Sequence, residues 1–178
     1  MNRLNINIEK LPVVDASGKV VGGMSRQEAH GGSKKLHPVV HLHIIERGAI
    51  YLQKRSDDKD IQPGKWDTAV GGHVDYGEDV EQALKREAFE ELSVVGFKPN
   101  FIVKYIWESE EECELVFSFF TRYDGEIVPN VDEISEGRYW KFQEVVDNLG
   151  KGIFTPNFEK EYRFLSKTII PVLKEHDK

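Results

Sequence analysis

The sequence lacks the features that mark secreted and membrane-spanning chains. Cys113 is the only cysteine among 178 residues, so no disulfide can form within the chain and a reducing compartment, the cytoplasm, is expected. The first ten residues, MNRLNINIEK, contain no apolar segment of the kind found in signal peptides. No stretch approaches the roughly 20 apolar residues that a membrane helix needs. We therefore expect a cytoplasmic protein with no membrane partner.

Positive charge is also scarce. The chain has 24 lysines and arginines against 31 aspartates and glutamates, a formal net charge of −7 at pH 7. A general nucleic-acid-binding protein would need a basic patch, so we expect no nucleic-acid partner, although an acidic protein can still bind phosphates through metal ions. With 39% hydrophobic residues, the chain suits one globular domain over residues 1–178. The sequence does not decide between a monomer and a homodimer.

The sequence does contain one dense stretch, residues 71–94, which reads GGHVDYGEDVEQALKREAFEELSV. Asp75 and Gly77 are typical of a turn, and the acidic pair at 78–79 suits a helix N-terminus. From there, apolar residues recur at every fourth position, which predicts a helix with one buried face formed by Val80, Leu84, Ala88 and Leu92.

Three glutamates in the last turn of this helix require an explanation. Glu87, Glu90 and Glu91 stand at i, i+3 and i+4, so they share a face and repel one another. They also lie at the helix end where the dipole disfavours anions. A solvated acidic face is the plainer interpretation. A divalent cation would remove both penalties, because Mg²⁺ and Mn²⁺ take oxygen ligands, and we interpret the cluster as a metal site.

At these residues the sequence resembles a known family. Gly72, five residues, Glu78, seven residues, then Arg86-Glu87-Ala88-Phe89-Glu90-Glu91-Leu92 is similar to the Nudix box, Gx5Ex7REUxEExGU, over residues 72–94. Ser93 stands where the family usually has glycine, a change that could weaken the end of the helix. The resemblance implies an α/β/α sandwich around a central mixed β-sheet. It also implies that Glu78 and Arg86 form an ion pair that braces the loop and the helix.

The Nudix resemblance implies a metal centre as well. The carbonyl group of Gly71 and the carboxylates of Glu87, Glu90 and Glu91 would bind Mg²⁺ or Mn²⁺, and a small-molecule diphosphate would be the substrate. One carboxylate would accept the proton of the attacking water. The sequence leaves open whether this base is one of the three box glutamates or belongs to the pair Glu112 and Glu114.

The flanking segments resemble the isopentenyl-diphosphate isomerase branch of the same superfamily, over roughly residues 10–165. His30 and His37, six residues apart, match two metal-binding histidines of that branch, and His73 lies where a third is found. Glu112 and Glu114 resemble its ExE motif. Arg55 and Lys59 match positions that hold the diphosphate. The resemblance therefore implies a second metal site formed by His30, His37, His73, Glu112 and Glu114.

The isomerase resemblance fails where that chemistry occurs. The isomerases use a cysteine two residues before the third histidine, and here Gly71 occupies that position. Asn157 replaces a tryptophan of their Thr-Pro-Trp sequence. We therefore predict a Nudix hydrolase that cleaves a diphosphate linkage in a nucleoside diphosphate linked to another group. The alternatives are an isomerase acting on isopentenyl diphosphate and a catalytically silent Nudix domain that binds a ligand.

The remaining patterns predict the order of elements. Residues 11–24 read as a β-hairpin that precedes the box-containing region, and Ser25 begins a capping box. A long strand is expected from His37 to Arg47, with His41 and His43 as structural strand histidines. One strand is expected over residues 66–70, and one C-terminal helix over residues 158–173.

Overall fold

A mixed β-sheet forms the centre of the molecule, and helices cover both of its faces. The computed structural model describes residues 10–59 and 61–176. In chain order the elements are β1 (Lys10–Val14), β2 (Val20–Ser25), α1 (Arg26–His30), β3 (His37–Glu46), β4 (Ala49–Arg55), β5 (Trp66–Asp67), β6 (Val70–His73), α2 (Val80–Leu92), β7 (Asn100–Glu108), β8 (Cys113–Thr121), β9 (Ile134–Lys141), α3 (Phe142–Asn148), α4 (Pro156–Thr168) and α5 (Ile170–His176).

Strand β3 is the axis of the sheet. The main path of the sheet runs β5-β4-β3-β8-β7, with β6 paired to β3 and β9 paired to β4. Strands β3 and β8 are parallel, whereas the other pairs of this sheet are antiparallel. This arrangement confirms the predicted α/β/α sandwich with a mixed sheet.

The two faces of β3 belong to different layers because successive side chains of a strand point to opposite sides. Val40, Leu42 and Ile44 pack in the core that includes the buried face of α2. Ile45 packs in the second core, with aromatic residues of α3 and α4. His41 and His43 alternate with the first set and therefore face α4.

The predicted hairpin is present as a two-stranded sheet formed by β1 and β2. The side chain of Asp15 closes its turn by accepting hydrogen bonds from the backbone N–H groups of Ser17 (2.9 Å) and Lys19 (3.1 Å). Ser25 and Glu28 form the predicted capping box of α1. The hairpin and α1 together carry Arg26 and His30 to the rim of the cavity described below.

Two predicted elements are divided in the structure. Residues 66–70 form no single strand, because the chain leaves β4 after Asp67 and pairs with β3 from Val70 onward. The C-terminal helix is interrupted between Thr168 and Ile170. Pro171 explains the break, since proline has no N–H group to donate to a carbonyl one turn earlier. No helix in the described part of the chain has the length and apolarity required to cross a membrane.

Helix α2 ends in the left-handed cap that glycine usually provides. Ser93 adopts a left-handed backbone conformation (φ 55°, ψ 23°), and its N–H group donates to the carbonyl of Phe89 at 2.9 Å. The N–H group of Val94 donates to the carbonyl of Ala88 at 3.0 Å. Serine thus supplies the cap that the family usually obtains from glycine, and the helix keeps its full length to Leu92.

Candidate active site

One cavity collects most of the predicted site residues. It lies beside β3, β6 and α2 and is closed at its far side by the segment 107–114 and the start of α4. Nine of the eleven predicted residues line it: His30, Arg55, Lys59, Gly71, His73, Glu87, Glu91, Glu112 and Glu114. His37 is fully buried behind this lining, and Glu90 is half exposed at the surface of α2.

The glycine that opens the box leaves room for the carboxylate of Glu87. A Cβ atom at Gly72 would lie 2.0 Å from Cδ of Glu87 and 2.3 Å from its Oε1. Any side chain at this position would therefore displace the Glu87 carboxylate, since such distances are far inside van der Waals contact. Gly72 is a site residue that the sequence predicted only as part of a motif.

Glu91 is the most buried of the box glutamates, with 7% of the residue exposed. Its Oε2 accepts hydrogen bonds from Nε2 of Gln53 (3.1 Å) and from the backbone N–H of Gly71 (3.2 Å). Burial and the nearby Glu87 carboxylate raise the pKa of Glu91 to about 8. Burial also raises the pKa of Glu87 to about 7, although the Arg86 guanidinium opposes this shift.

The predicted ion pair between Arg86 and Glu78 is present, and Arg86 also makes contacts that the sequence did not suggest. It donates to Glu78 from Nε (3.0 Å) and Nη2 (2.9 Å), and Nη2 also donates to the carbonyl oxygen of His73 (2.9 Å). Its Nη1 donates to Glu87 (2.7 Å) and to Glu90 (3.1 Å). The guanidinium therefore relieves part of the repulsion among the glutamates without a metal ion.

The histidines and the ExE pair meet at the other end of the cavity. Nε2 of His30 lies 3.3 Å from Nε2 of His73 and 3.3 Å from Oε1 of Glu112. The potential ligand atoms of His30, His73 and Glu112 lie within 4.8 Å of one another, as do those of His37, Glu112 and Glu114. Three histidines and two carboxylates thus converge from α1, β3, β6, β8 and the loop that precedes β8.

This cluster has the chemistry of a metal site. His37 Nδ1 bonds to the carbonyl oxygen of Lys35 (3.0 Å), whereas its buried Nε2 has no hydrogen-bond partner among the described residues. Burial lowers the pKa of His37 to about 4, so the ring presents a neutral lone pair. Burial raises the pKa of Glu112, and burial together with Glu112 raises that of Glu114 to about 8. Imidazole and carboxylate groups of this kind fit a divalent transition metal.

The two predicted phosphate-binding cations lie in the cavity wall, each with an acidic neighbour. Arg55 donates from Nε to the carbonyl oxygen of Ile61 (3.0 Å), and its Nη1 lies 3.5 Å from Asp67. Nζ of Lys59 donates to Oε2 of Glu133 at 3.2 Å. Sequence reasoning did not identify Asp67 or Glu133, because both lie in segments without a recognisable motif.

A second group missed by sequence reasoning centres on Glu161 of α4. Its carboxylate accepts from His41 Nδ1 at 3.0 Å and from His43 Nε2, and the hydroxyl groups of Tyr105 (2.7 Å) and Ser118 (3.2 Å) also donate to it. Burial disfavours the charged ring of His41, but the Glu161 carboxylate outweighs this and raises the pKa of His41 to about 9. His43 is fully buried, whereas His41 also lines the cavity.

The cysteine of the isomerase branch has no counterpart in the cavity lining of the described residues. Gly71 has no side chain at the position of the isomerase cysteine, and Cys113 is absent from the cavity lining of the described residues. Burial raises the pKa of the Cys113 thiol, which disfavours its reactive form. Asn157 lines the cavity, and its side-chain oxygen lies 2.5 Å from the hydroxyl oxygen of Tyr105.

The fold and the glutamate-lined cavity define a class of proteins, and comparisons with known proteins identify it. The model of the NUDIX domain matches residues 35–158. The chain belongs to the Nudix family. An uncharacterized Nudix hydrolase of Nostoc sp. is 36% identical over 150 residues, covering 82% of this chain and 88% of that protein.

Two further relatives show the breadth of the family. Isopentenyl-diphosphate Delta-isomerase 1 of Photorhabdus laumondii is 27% identical over 164 residues, covering 87% of this chain and 93% of that protein. The crystal structure of DR0079 from Deinococcus radiodurans superposes with a TM-score of 0.75 at 24% identity, covering 87% of this chain and 98% of that one. The chain is thus a Nudix protein with likeness to the isomerase branch.

Proposed function

We propose that this chain is a Nudix hydrolase that cleaves the diphosphate linkage of a nucleoside diphosphate joined to another group, with Mg²⁺ or Mn²⁺ as its cofactor. One observation carries the proposal: buried carboxylates and cationic side chains line the same cavity. Glu87 and Glu91 lie on the side of α2, and Arg55 and Lys59 lie in the same cavity lining. Oxygen ligands suit the metal, and the cations suit phosphoryl oxygens.

The box residues would hold the metal ion. Glu87, Glu90 and Glu91, with the carbonyl of Gly71, supply oxygen atoms only, which Mg²⁺ and Mn²⁺ prefer. A metal bound there would neutralise the diphosphate and lower the pKa of a coordinated water. The chain itself contributes the base, a carboxylate among these glutamates or the pair Glu112 and Glu114. Gln53 orients the Glu91 carboxylate by donating a hydrogen bond to its Oε2.

The histidine cluster is a second proposed metal site in the same cavity. His30, His37 and His73 would supply nitrogen ligands, and Glu112 and Glu114 would supply oxygens. The buried Nε2 of His37, which has no partner among the described residues, supports this assignment, because a buried polar atom without a partner is costly. A mixed nitrogen and oxygen set suits Mn²⁺ better than Mg²⁺.

An isomerase acting on isopentenyl diphosphate is the second candidate. It is favoured by the histidine–glutamate cluster and by the likeness to a protein named isopentenyl-diphosphate Delta-isomerase 1. Isomerisation adds a proton at one carbon and removes one from another, so it needs an acid and a base placed at the two positions. Gly71 leaves one of these positions without the cysteine that the isomerase branch uses, which favours the hydrolase.

A substrate panel tests the proposal. Purified protein is incubated with nucleoside diphosphates joined to sugars, alcohols or a second nucleoside, with Mg²⁺, with Mn²⁺, or with a chelator. We expect metal-dependent release of a nucleoside monophosphate from at least one compound, and loss of this activity in the Glu91→Gln variant. Binding without turnover across the panel would support the catalytically silent domain instead and contradict the proposal.

A further inference from the structure

His41 occupies a place in the cavity to which the proposed chemistry assigns no role. It lies on β3 beside Gly71 of β6, with which it is paired in register. Only 8% of the residue is exposed, yet its ring forms part of the cavity lining. His43, two residues later on the same face of the strand, is completely buried and lies outside that lining.

The ring of His41 is fixed in one orientation. Nδ1 lies 3.0 Å from Oε1 of Glu161, and Glu161 is itself held by His43, Tyr105 and Ser118. Only 3% of Glu161 is exposed. A buried carboxylate that accepts from four side chains has little freedom to move. Because Nδ1 is engaged, the nitrogen that remains for a ligand is Nε2.

Gly71 leaves this nitrogen accessible. A Cβ atom at position 71 would lie 3.7 Å from Nε2 of His41 and 3.5 Å from its Cδ2, so any side chain there would begin to cover the edge of the ring. With glycine, the edge borders the cavity directly. The glycine that stands in place of the isomerase cysteine therefore leaves the edge of the His41 ring open to the cavity.

We propose that His41 is a substrate-contacting residue whose Nε2 donates a hydrogen bond to a phosphoryl oxygen of the diphosphate, and that Glu161 is the residue that positions it. The inference rests on the proposed hydrolase function. Nδ1 faces the Glu161 carboxylate, which leaves the Nε2 edge of the ring on the side of the cavity. The contact would complement Arg55 in the same cavity lining, since charge-assisted bonds to phosphate are the strong ones.

The first test compares His41→Gln with His43→Gln. Both substitutions remove one histidine bond to Glu161, and both put a side-chain amide in its place, so they perturb the buried cluster similarly. The measured quantity is the Kd of methylenediphosphonate, which cannot be hydrolysed, by calorimetry in the presence of Mg²⁺. We expect His41→Gln to weaken binding about 10- to 100-fold, the range for one charge-assisted hydrogen bond, and His43→Gln to leave Kd within about twofold of wild type.

The second test uses Gly71→Ala, which leaves the Glu161 cluster intact. The backbone of Gly71 has no positive φ, and the nearest atoms lie at ordinary contact distance, so the methyl group fits. We expect weaker binding of methylenediphosphonate in the wild-type background and little further loss in the His41→Gln background. Glu161→Gln is expected to follow the same rule, weakening binding only while His41 is present. If the Kd of each double variant rises by the product of the two single-variant factors, the two residues do not act through a shared contact.

A spectroscopic measurement completes the experiment. In protein labelled with ¹⁵N-histidine, methylenediphosphonate should shift the Nε2 resonance of His41 and leave that of His43 unchanged. If wild type binds the compound and His41→Gln binds it equally well, the inference fails while the proposed function stands. If wild type neither binds methylenediphosphonate nor hydrolyses any diphosphate, the proposed function fails, and the inference that rests on it fails as well.

Discussion

The burial of Glu91 leads to a prediction in which stability and activity change in opposite directions. In the absence of metal at pH 8, the folded protein holds a carboxyl whose pKa is about 8 instead of the ordinary 4.5. Keeping it there costs about 4 kcal/mol relative to the unfolded chain, at 1.36 kcal/mol for each pKa unit. Glu91→Gln removes this cost, because glutamine does not ionise.

The gain is smaller than the full cost. The new amide group has an NH₂ that must find acceptors in a buried site, and an unmet donor costs about 1–3 kcal/mol. The net stabilisation is therefore about 2 kcal/mol, or about 4–8 °C in Tm for a chain of this size. At the same time the variant loses a metal ligand, so hydrolysis should fall roughly 100-fold or more.

The assay is thermal unfolding at pH 8, first with a chelator and then with millimolar Mg²⁺, paired with a turnover measurement. Glu81→Gln is the matched control, since Glu81 is on the same helix but exposed, with Lys85 at 2.6 Å, and we expect neither Tm nor turnover to change. Glu91→Gln should melt higher than wild type in chelator and show a smaller increase in Tm with Mg²⁺ than wild type shows. A lower Tm in chelator would refute the burial argument, and retained turnover would refute the ligand assignment.

The remaining predictions concern metal, pH and the brace. First, Mg²⁺ or Mn²⁺ should raise Tm of the wild type, and the increase should grow from pH 6 to pH 8.5. Carboxyl groups with raised pKa values bind more protons in the folded than in the unfolded state, so the stability of the metal-free protein falls as the pH rises from about 4.5 through 8. Deprotonated ligands also bind metal better. An increase in Tm that does not depend on pH would contradict this linkage. Second, Glu90→Gln should melt like wild type, because Glu90 is half exposed, but should lose roughly 100-fold in turnover; wild-type turnover would remove Glu90 from the ligands. Third, Arg86→Lys should lower stability by about 1–3 kcal/mol in urea unfolding, since lysine cannot reproduce the two hydrogen bonds to Glu78; an unchanged midpoint would show that the brace is dispensable.

Local patterns in the sequence were sufficient for much of the fold. The four-residue period from Val80 to Leu92, the turn at Asp15 and the capping box at Ser25 all depend on neighbours within a few positions. The division of residues 66–70 between β4 and β3 could not be predicted, because a change of strand partner leaves no local trace.

Long-range pairing explains what sequence reasoning missed in the cavity. The spacing of His30 and His37 pointed to one cluster only through a family resemblance. Glu161 lies 120 residues from His41 and sits on a helix whose acidic residues otherwise resemble a solvated face, so nothing local indicated that it would be buried. Arg86 was predicted to pair with Glu78, but its bonds to Glu87 and Glu90 depend on side-chain directions that only the folded helix fixes.

In the proposed reaction water attacks phosphorus, and isotope labelling detects this step. The wild type is incubated with Mg²⁺ or Mn²⁺ in water enriched in both ¹⁸O and deuterium, once with the best nucleotide substrate of the panel and once with isopentenyl diphosphate. We expect one ¹⁸O atom bonded to phosphorus in a product of the nucleotide substrate. From isopentenyl diphosphate we expect neither dimethylallyl diphosphate nor deuterium incorporation. Deuterium on carbon, with no ¹⁸O on phosphorus, would rule out the hydrolase and establish the isomerase.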